Sequence, residues 1–380
     1  MNQNQIFSPN DHAMMQRAIS LAKRGRYTTA PNPNVGCVIA HGETIVGEGF
    51  HYQAGQPHAE VFALRAAGEQ ARGATAYVTL EPCSHYGRTP PCAEALVKAG
   101  VARVVCAMVD PNPKVAGRGI AILQAAGIEV QSGLLEADAE ALNPGFIKRM
   151  KTGMPFVQLK LASSLDGRTA LANGESKWIT GPAARADVQR LRACAGAILS
   201  TSATVLADDP SLNVRWDELG AQVQEMYPQQ NLRQPVRVII DSKNRVTPEH
   251  RLCSLPSEIV LVRHSDDGEQ WPDHVRSLLL PQASADQAGI DLKAMMAALA
   301  QQDINHIWVE AGAGLAGALL SAGLVDELIV YQAPKLMGSD SRGLIGLRGL
   351  TAMEQVPELA ISDLRMVGGD IRITAAIKQH

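Results

Sequence analysis

Short apolar runs bounded by glycine, proline and small polar residues recur through the first 140 positions, alternating with stretches of helical spacing. Ser8 followed by Pro9 is a helix-start signal, and a helix is expected after it. Strands are expected near positions 35–40 and 44–50, then a helix opening at His58 (HAEVFALRAAG) and a strand in AYVTL. A helix over 91–99 stopped at Gly100, a strand in ARVVCAMV, and a helix and strand around ILQAAGIEV complete the series. Each strand is short and apolar, as in a sheet covered on both faces, so the alternation predicts a layered α/β domain.

The pattern changes between 143 and 155, where NPGFIKRMKTGMP gathers prolines, glycines and cations. A domain boundary is expected there, dividing the chain into 1–147 and 148–380. The second part opens with a strand (FVQLKLAS) and a turn (LDG). Near its end, IWVEAGAGLAGALLSAGLVDELIVYQAP reads as strand, glycine loop, helix and strand, a βαβ unit. The polar segment 216–234 reads as a loop, and there is no internal repeat.

Composition narrows the functional classes. With 380 residues, 46% hydrophobic and 19% charged, the chain is globular and long enough for two cores. A net charge of −3 and an aromatic share of 4% offer little for tracking or stacking nucleic acid. Small-molecule partners are expected, with no nucleic acid. The first residues lack a basic and an apolar signal region, and no uninterrupted apolar stretch approaches the roughly 18 residues of a membrane span. A cytoplasmic protein with no membrane partner is therefore expected. The six cysteines, at 37, 83, 92, 106, 194 and 253, are too sparse for a disulfide framework and read as thiols or metal ligands.

The densest chemistry lies in HAE at 58–60, PC at 82–83 and PPC at 90–92. His58, Cys83 and Cys92 are zinc ligands by type, and three protein ligands leave a tetrahedral position open. Residues two apart do not share a helix face, so His58 and Glu60 converge only at a helix N-terminus. Cys92, after two prolines, also stands at a helix start, where a thiolate is favoured. An open zinc position lowers the pKa of water to about 7, and Glu60 beside it can move protons as the catalytic acid and base. The set matches the H-x-E and P-C-x-x-C signature of zinc deaminases, with eight residues instead of two between the cysteines. A closed structural site would need a fourth ligand, for which His85 is the sole nearby candidate.

In the second half, GAGLAG at 312–317 satisfies G-x-G-x-x-G between a strand and a helix, so its amides could cradle a dinucleotide phosphate. It comes late, and no acid follows about 20 residues on, which argues against a Rossmann NAD domain and permits NADPH. The alternative is that the small residues serve close helix packing.

The stretches PNPNVG (31–36), GEGFHYQAGQPHAE (47–60), TLEPCSHYGRTPPC (79–92) and VDPNPKVAGRG (109–119) resemble the bifunctional riboflavin-biosynthesis deaminase/reductase family. So do LKLASSLDGRTA, GESKWITG, STSATVLADDPSLNVR, VIIDS and WVEAG in the second half, and the resemblance covers nearly the whole chain. It implies an N-terminal cytidine-deaminase-like αβα layered domain and a C-terminal dihydrofolate-reductase-like α/β domain, using one Zn2+ and NADPH. It implies that Asn32, His51, His85 and Arg88 contact the pyrimidine and its ribose phosphate, with Asp110 and Asn112 lining the same pocket. In the reductase, Ala162, Trp178, Thr204, Asp208, Ser242 and the run Gly312, Ala313, Gly314, Leu315, Ala316, Gly317, Ala318 would hold NADPH. Ser176, Arg192, Leu212, Arg215 and Glu310 would bind the sugar phosphate, the guanidinium forks matching phosphate oxygens, and Lys160 would have an electrostatic role at most. The expected partners are pyrimidine ribose phosphates, and the expected assembly is a homo-oligomer.

Overall fold

The computed structural model describes residues 6–86, 90–113, 115–284 and 287–378. It forms two compact units, Met1–Gly153 and Met154–His380. The boundary expected at 147/148 falls inside a helix, Pro144–Thr152. Pro144 in the first turn and left-handed Gly153 (φ 70°) at the end are that helix's start and stop signals, so the proline and glycine that mark the expected boundary bracket an element.

The first unit is built on β1 (Gly36–His41), β2 (Thr44–Phe50), β3 (Thr75–Val78), β4 (Arg103–Cys106) and β5 (Glu129–Ser132), in the order β2-β1-β3-β4-β5. β1 runs antiparallel to β2 and β3, and β3, β4 and β5 are parallel. The helices are α1 (Pro9–Ala22), α2 (Ala59–Ala67), α3 (Cys92–Ala99), α4 (Arg118–Ala125), α5 (Glu136–Glu140) and α6 (Pro144–Thr152). Ser8 caps α1 through a reciprocal pair: its Oγ accepts from Asp11 N–H at 3.1 Å, and Asp11 accepts from Ser8 N–H at 2.9 Å. Strand alternation sends Cys37 and Ile39 into one core with Ala63, Leu96 and Leu123, and Val38 and Ala40 into another with Met15, Ile19 and Ile147. Both faces of the sheet are thus covered, and each fully buried Ile or Leu contributes roughly 1.5–3 kcal/mol.

The second unit contains β6 (Phe156–Ser164), β7 (Arg168–Ala170), β8 (Ala197–Thr201), β9 (Val236–Ile240), β10 (Ile259–Arg263), β11 (Val275–Leu279), β12 (Gln282–Ser284), β13 (Gln287–Ile290), β14 (His306–Glu310), β15 (Glu327–Ala333), β16 (Arg342–Gly343), β17 (Leu359–Val367) and β18 (Asp370–Ile377). Its helices are α7 (Pro182–Cys194), α8 (Ser202–Asp208), α9 (Ala221–Met226), α10 (Leu292–Gln301) and α11 (Ala313–Ser321). Nine strands form one sheet in the order β11-β10-β9-β8-β14-β6-β15-β18-β17, parallel from β11 to β15 and antiparallel thereafter. The expected βαβ unit is β14-α11-β15, with β6 hydrogen bonded between its two strands. Neighbouring positions again serve opposite cores: Leu199, Val238 and Val309 pack with Met295 and Leu319, whereas Ile198, Ile239 and Trp308 pack with Val188 and Tyr331. The 216–234 segment, expected as a loop, holds α9 and is folded on itself by a bond from Trp216 Nε1 to the Tyr227 carbonyl at 2.8 Å. Among the described residues no helix is long and apolar enough to cross a membrane.

Candidate functional site

His58 precedes α2 in extended conformation (φ −73°, ψ 167°), and Glu60 lies in the first turn. This placement lets two side chains two residues apart turn to one point. Cys92 opens α3 directly after Pro91. His58 Nδ1 lies 3.5 Å from Cys83 Sγ and 3.4 Å from Cys92 Sγ, and the three ligand atoms all fall within 4.8 Å of one another. Among the described residues no fourth ligand joins them, and His85 stands outside the cluster. The Cys92 thiol, hydrogen bonded to Cys83, draws the Cys83 thiol well down, while the same contact drives Cys92 up. The Cys83 contact pushes the His58 imidazole up to about 8.

Glu60 is buried, and its Oε2 has no hydrogen-bond partner. Burial pushes its carboxyl above the ordinary range. A soft imidazole and dithiol donor set beside an unsatisfied carboxylate oxygen fits zinc with one position left for a reactant. His58, Glu60 and Cys83 open into a cavity of about 180 Å³ that also exposes Asn32, His51, His85, Asp110 and Asn112. Folding therefore collects in one place all the deaminase residues expected from the sequence except Arg88, which lies outside the described residues.

Within the cavity His51 is fixed as a neutral ring. Its Nδ1 faces the Pro57 carbonyl at 3.1 Å, so that nitrogen carries the proton and Nε2 accepts from Asn32 Nδ2 at 3.0 Å. Burial pulls its pKa down. Asp110 accepts from Asn112 N–H at 2.8 Å, and burial pushes its carboxyl up. Glu81 and Phe146 line the cavity too, and the sequence reading assigned neither a role. Glu81 stands two positions before Cys83, but its partners are distant backbone amides that no side-chain pattern reveals.

In the second unit the cofactor candidates gather at the C-terminal ends of parallel strands, where open α/β sheets bind ligands. Ala162 is near the end of β6, Thr204 is in α8 just after β8, Ser242 follows β9, and Gly312 N-caps α11 after β14. The glycine motif divides between its two readings. A side chain at Gly312 or Gly314 would meet open space, whereas a Cβ at Gly317 would fall 2.4 Å from the Gly346 carbonyl oxygen. The first two glycines face open space and the last serves packing.

Glu310, at the end of β14, is gripped by Arg192 through Nε at 2.5 Å and Nη2 at 2.9 Å, and Trp308 Nε1 donates to it at 2.8 Å. Burial opposes its ionisation, but Arg192 overcomes this and holds the carboxyl down at about 2. Lys160 pairs in strand register with Glu310, and burial lowers its pKa. Arg192, Asp208, Leu212 and Arg215 line a depression of about 460 Å³, together with Arg251. Leu212 is held in the left-handed region (φ 47°), and Arg215 is ion-paired to Glu218 at 2.5 Å. Trp178 lies apart from these, over a different depression with Arg185 4.3 Å from its ring, and Ser176 is exposed on the same segment.

Residues 8–108 match the cytidine and deoxycytidylate deaminase zinc-binding region, and residues 155–372 match the RibD C-terminal domain. The chain is 62% identical over 361 residues to the riboflavin biosynthesis protein RibD of Escherichia coli K12, spanning 95% of this chain and 98% of that one. It belongs to the RibD family. The RibD of Haemophilus influenzae is 56% identical, spanning 97% of this chain and 98% of the relative. A structure of Acinetobacter baumannii RibD, 47% identical, superposes with a TM-score of 0.87 over 97% of this chain and 99% of that chain. A Thermotoga maritima structure named as a diaminohydroxyphosphoribosylaminopyrimidine deaminase/5-amino-6-(5-phosphoribosylamino)uracil reductase, 32% identical, reaches 0.83 over 97% and 99%. As a RibD-family protein the chain is a bifunctional deaminase and reductase of riboflavin biosynthesis, with a zinc-binding deaminase domain and an NADPH-dependent reductase domain.

Proposed function

We propose that the first unit deaminates 2,5-diamino-6-(5-phosphoribosylamino)pyrimidin-4-one, and that the second reduces the product, 5-amino-6-(5-phosphoribosylamino)uracil, at its ribosyl group with NADPH. The observation that carries the first half is the partnerless Glu60 oxygen beside the His58, Cys83 and Cys92 cluster, in a cavity that also presents Asn32, His51, Asp110 and Asn112. Zinc bound there supplies Lewis acidity and a nucleophile at neutral pH. Glu60, with its carboxyl raised by burial, takes a proton from the attacking water and delivers it to the ring nitrogen, then takes the second proton from the hydroxyl of the carbon adduct and gives it to the amine, which leaves as ammonia. Neutral His51 fixes Asn32, whose remaining amide groups orient the ring by hydrogen bonds, Asp110 and Asn112 supply further polar contacts, and Phe146 helps exclude water.

In the second unit Arg192, Arg215 and Arg251 line the depression and suit a ribose phosphate, Arg192 and Arg215 being preset by their Glu310 and Glu218 partners, and Asp208 shares the lining among the cofactor candidates. The open faces of Gly312 and Gly314 support backbone approach to the NADPH phosphates. A homo-oligomer belongs to the same reading, supported by the exposed Ile361, Leu364 and Met366 on edge strand β17. A cytoplasmic enzyme is supported by six cysteines that form no disulfide among the described residues.

The test is incubation of the purified protein with the diaminopyrimidine substrate, with and without NADPH, followed by mass identification. Ammonia and the uracil compound are expected without NADPH, and the ribityl compound only with it. Recovery of unchanged substrate by a zinc-loaded, folded protein would sink the reading.

A further inference from the structure

The Glu81 carboxylate is buried, yet no cation approaches it within ion-pairing distance among the described residues. It is satisfied by backbone. Oε2 accepts from Asp110 N–H at 3.1 Å and Gly117 N–H at 2.9 Å, and Oε1 accepts from Gly119 N–H at 2.9 Å and Ile120 N–H at 3.3 Å. Gly119 and Ile120 lie in the first turn of α4, whose amides have no partner within the helix, so a carboxylate from a remote segment caps it. The same side chain holds the start and the end of the loop that runs from 110 to 119. That loop carries Asp110, Asn112 and Val115 to the cavity wall. The fit is close on the other side as well: a Cβ at Gly119 would lie 1.9 Å from the Pro82 carbonyl oxygen, one residue before ligand Cys83.

We propose that Glu81 is a positioning residue for deamination: it staples the 110–119 loop to the metal-bearing segment and so sets where Asp110 and Asn112 meet the pyrimidine substrate. The proposal rests on the deaminase reading of the first unit. Four charge-assisted bonds from one carboxylate fix the loop against a segment that the zinc ligands already immobilise. Loss of the staple therefore acts on substrate binding, while the metal keeps its own three ligands. In Glu81→Gln one oxygen remains and an amide N–H2 is turned toward two amide donors, so half the staple becomes repulsive.

The experiment measures ammonia release against substrate concentration in the zinc-loaded, full-length enzyme and in Glu81→Gln and Glu81→Asp. Bound zinc and NADPH oxidation on the already deaminated substrate report whether each variant is folded. The expected result for Glu81→Gln is a KM raised roughly tenfold to a hundredfold, with kcat changed far less, zinc near one per chain and the reductase rate kept. Glu81→Asp, which retains both oxygens, recovers part of the loss. Gly119→Ala, whose methyl would fall 1.9 Å from the Pro82 carbonyl oxygen and 3.2 Å from Glu81 Oε1, displaces the loop while the carboxylate keeps its charge and gives the same KM signature if Glu81→Gln does not fold. An unchanged KM, a fall in kcat alone, or loss of zinc in step with activity would overturn the proposal. If the unaltered enzyme releases no ammonia, the deaminase reading fails instead; faster amide exchange over 110–120 in Glu81→Gln then still reports on the staple.

Discussion

Arg192 and Glu310 face each other across 118 positions of sequence as a two-point ion pair, Nε to Oε1 at 2.5 Å and Nη2 to Oε2 at 2.9 Å. Both side chains are mostly buried, at 11% and 14% exposure, and Arg192 Nη1 also donates to the Asn213 carbonyl at 3.0 Å. The arginine is thus held in place, and the carboxylate is kept charged at the end of β14.

Arg192→Ala leaves the Glu310 carboxylate buried without its partner and is expected to destabilise the second unit by about 3–5 kcal/mol. Arg192→Met combined with Glu310→Gln removes both charges and is expected to cost much less. Urea unfolding of the two variants checks this; equal losses would contradict a buried pair whose separation, and not its absence, is costly.

Glu60→Gln is expected to lower ammonia release by roughly 10²- to 10⁴-fold, the range for a proton-transfer group, while NADPH oxidation on the deaminated substrate is retained. Chelation of zinc is expected to give the same split, reversed by adding Zn2+. Assaying the two half-reactions separately in one preparation decides both outcomes.

Stability should fall in mild acid because of His306. Burial and nearby Arg233 pull its pKa down to about 4 from 6.5, against a bond involving Cys194, and its Nε2 meets Gln158 Oε1 at 2.7 Å. The unfolded chain binds this proton more readily, so the contribution is complete above pH 6.5 and is lost as pH falls toward 4, on the order of 3 kcal/mol across the window. His306→Gln is expected to flatten that part of the stability profile, measured by denaturant titration at pH 7, 5.5 and 4.5.

The glycine motif should respond unevenly. Gly317→Ala sets a methyl against the Gly346 carbonyl and is expected to cost about 1–3 kcal/mol of stability. Gly314→Ala meets nothing within 4 Å and should leave the melting temperature unchanged or slightly higher, while weakening NADPH binding measured by fluorescence.

His58, Glu60, Cys83 and Cys92 were legible because their information is local: ligand type, a helix start at His58, and prolines before Cys92 that make another. The division of the chain was legible only approximately, since proline and glycine mark the ends of a helix as readily as a linker, and at 144–153 they mark a helix. The cores were legible in kind, because a strand's alternation already implies two faces. What the chain order does not contain is partnership between distant positions. Glu81 carries no signal of its own in the sequence until the fold brings four backbone amides to it, and backbone groups are the same at every position. Arg192 and Glu310 each read as a ligand for substrate until packing puts them together in a site too dry to leave either charge alone. GAGLAG allows an open glycine turn and a packing motif in the same letters, and only the carbonyl of Gly346 shows which glycine packs. Composition and spacing therefore determined the chemistry that this protein can carry, and tertiary structure decided which groups are free to carry it, because burial and backbone approach depend on neighbours that sequence distance does not measure.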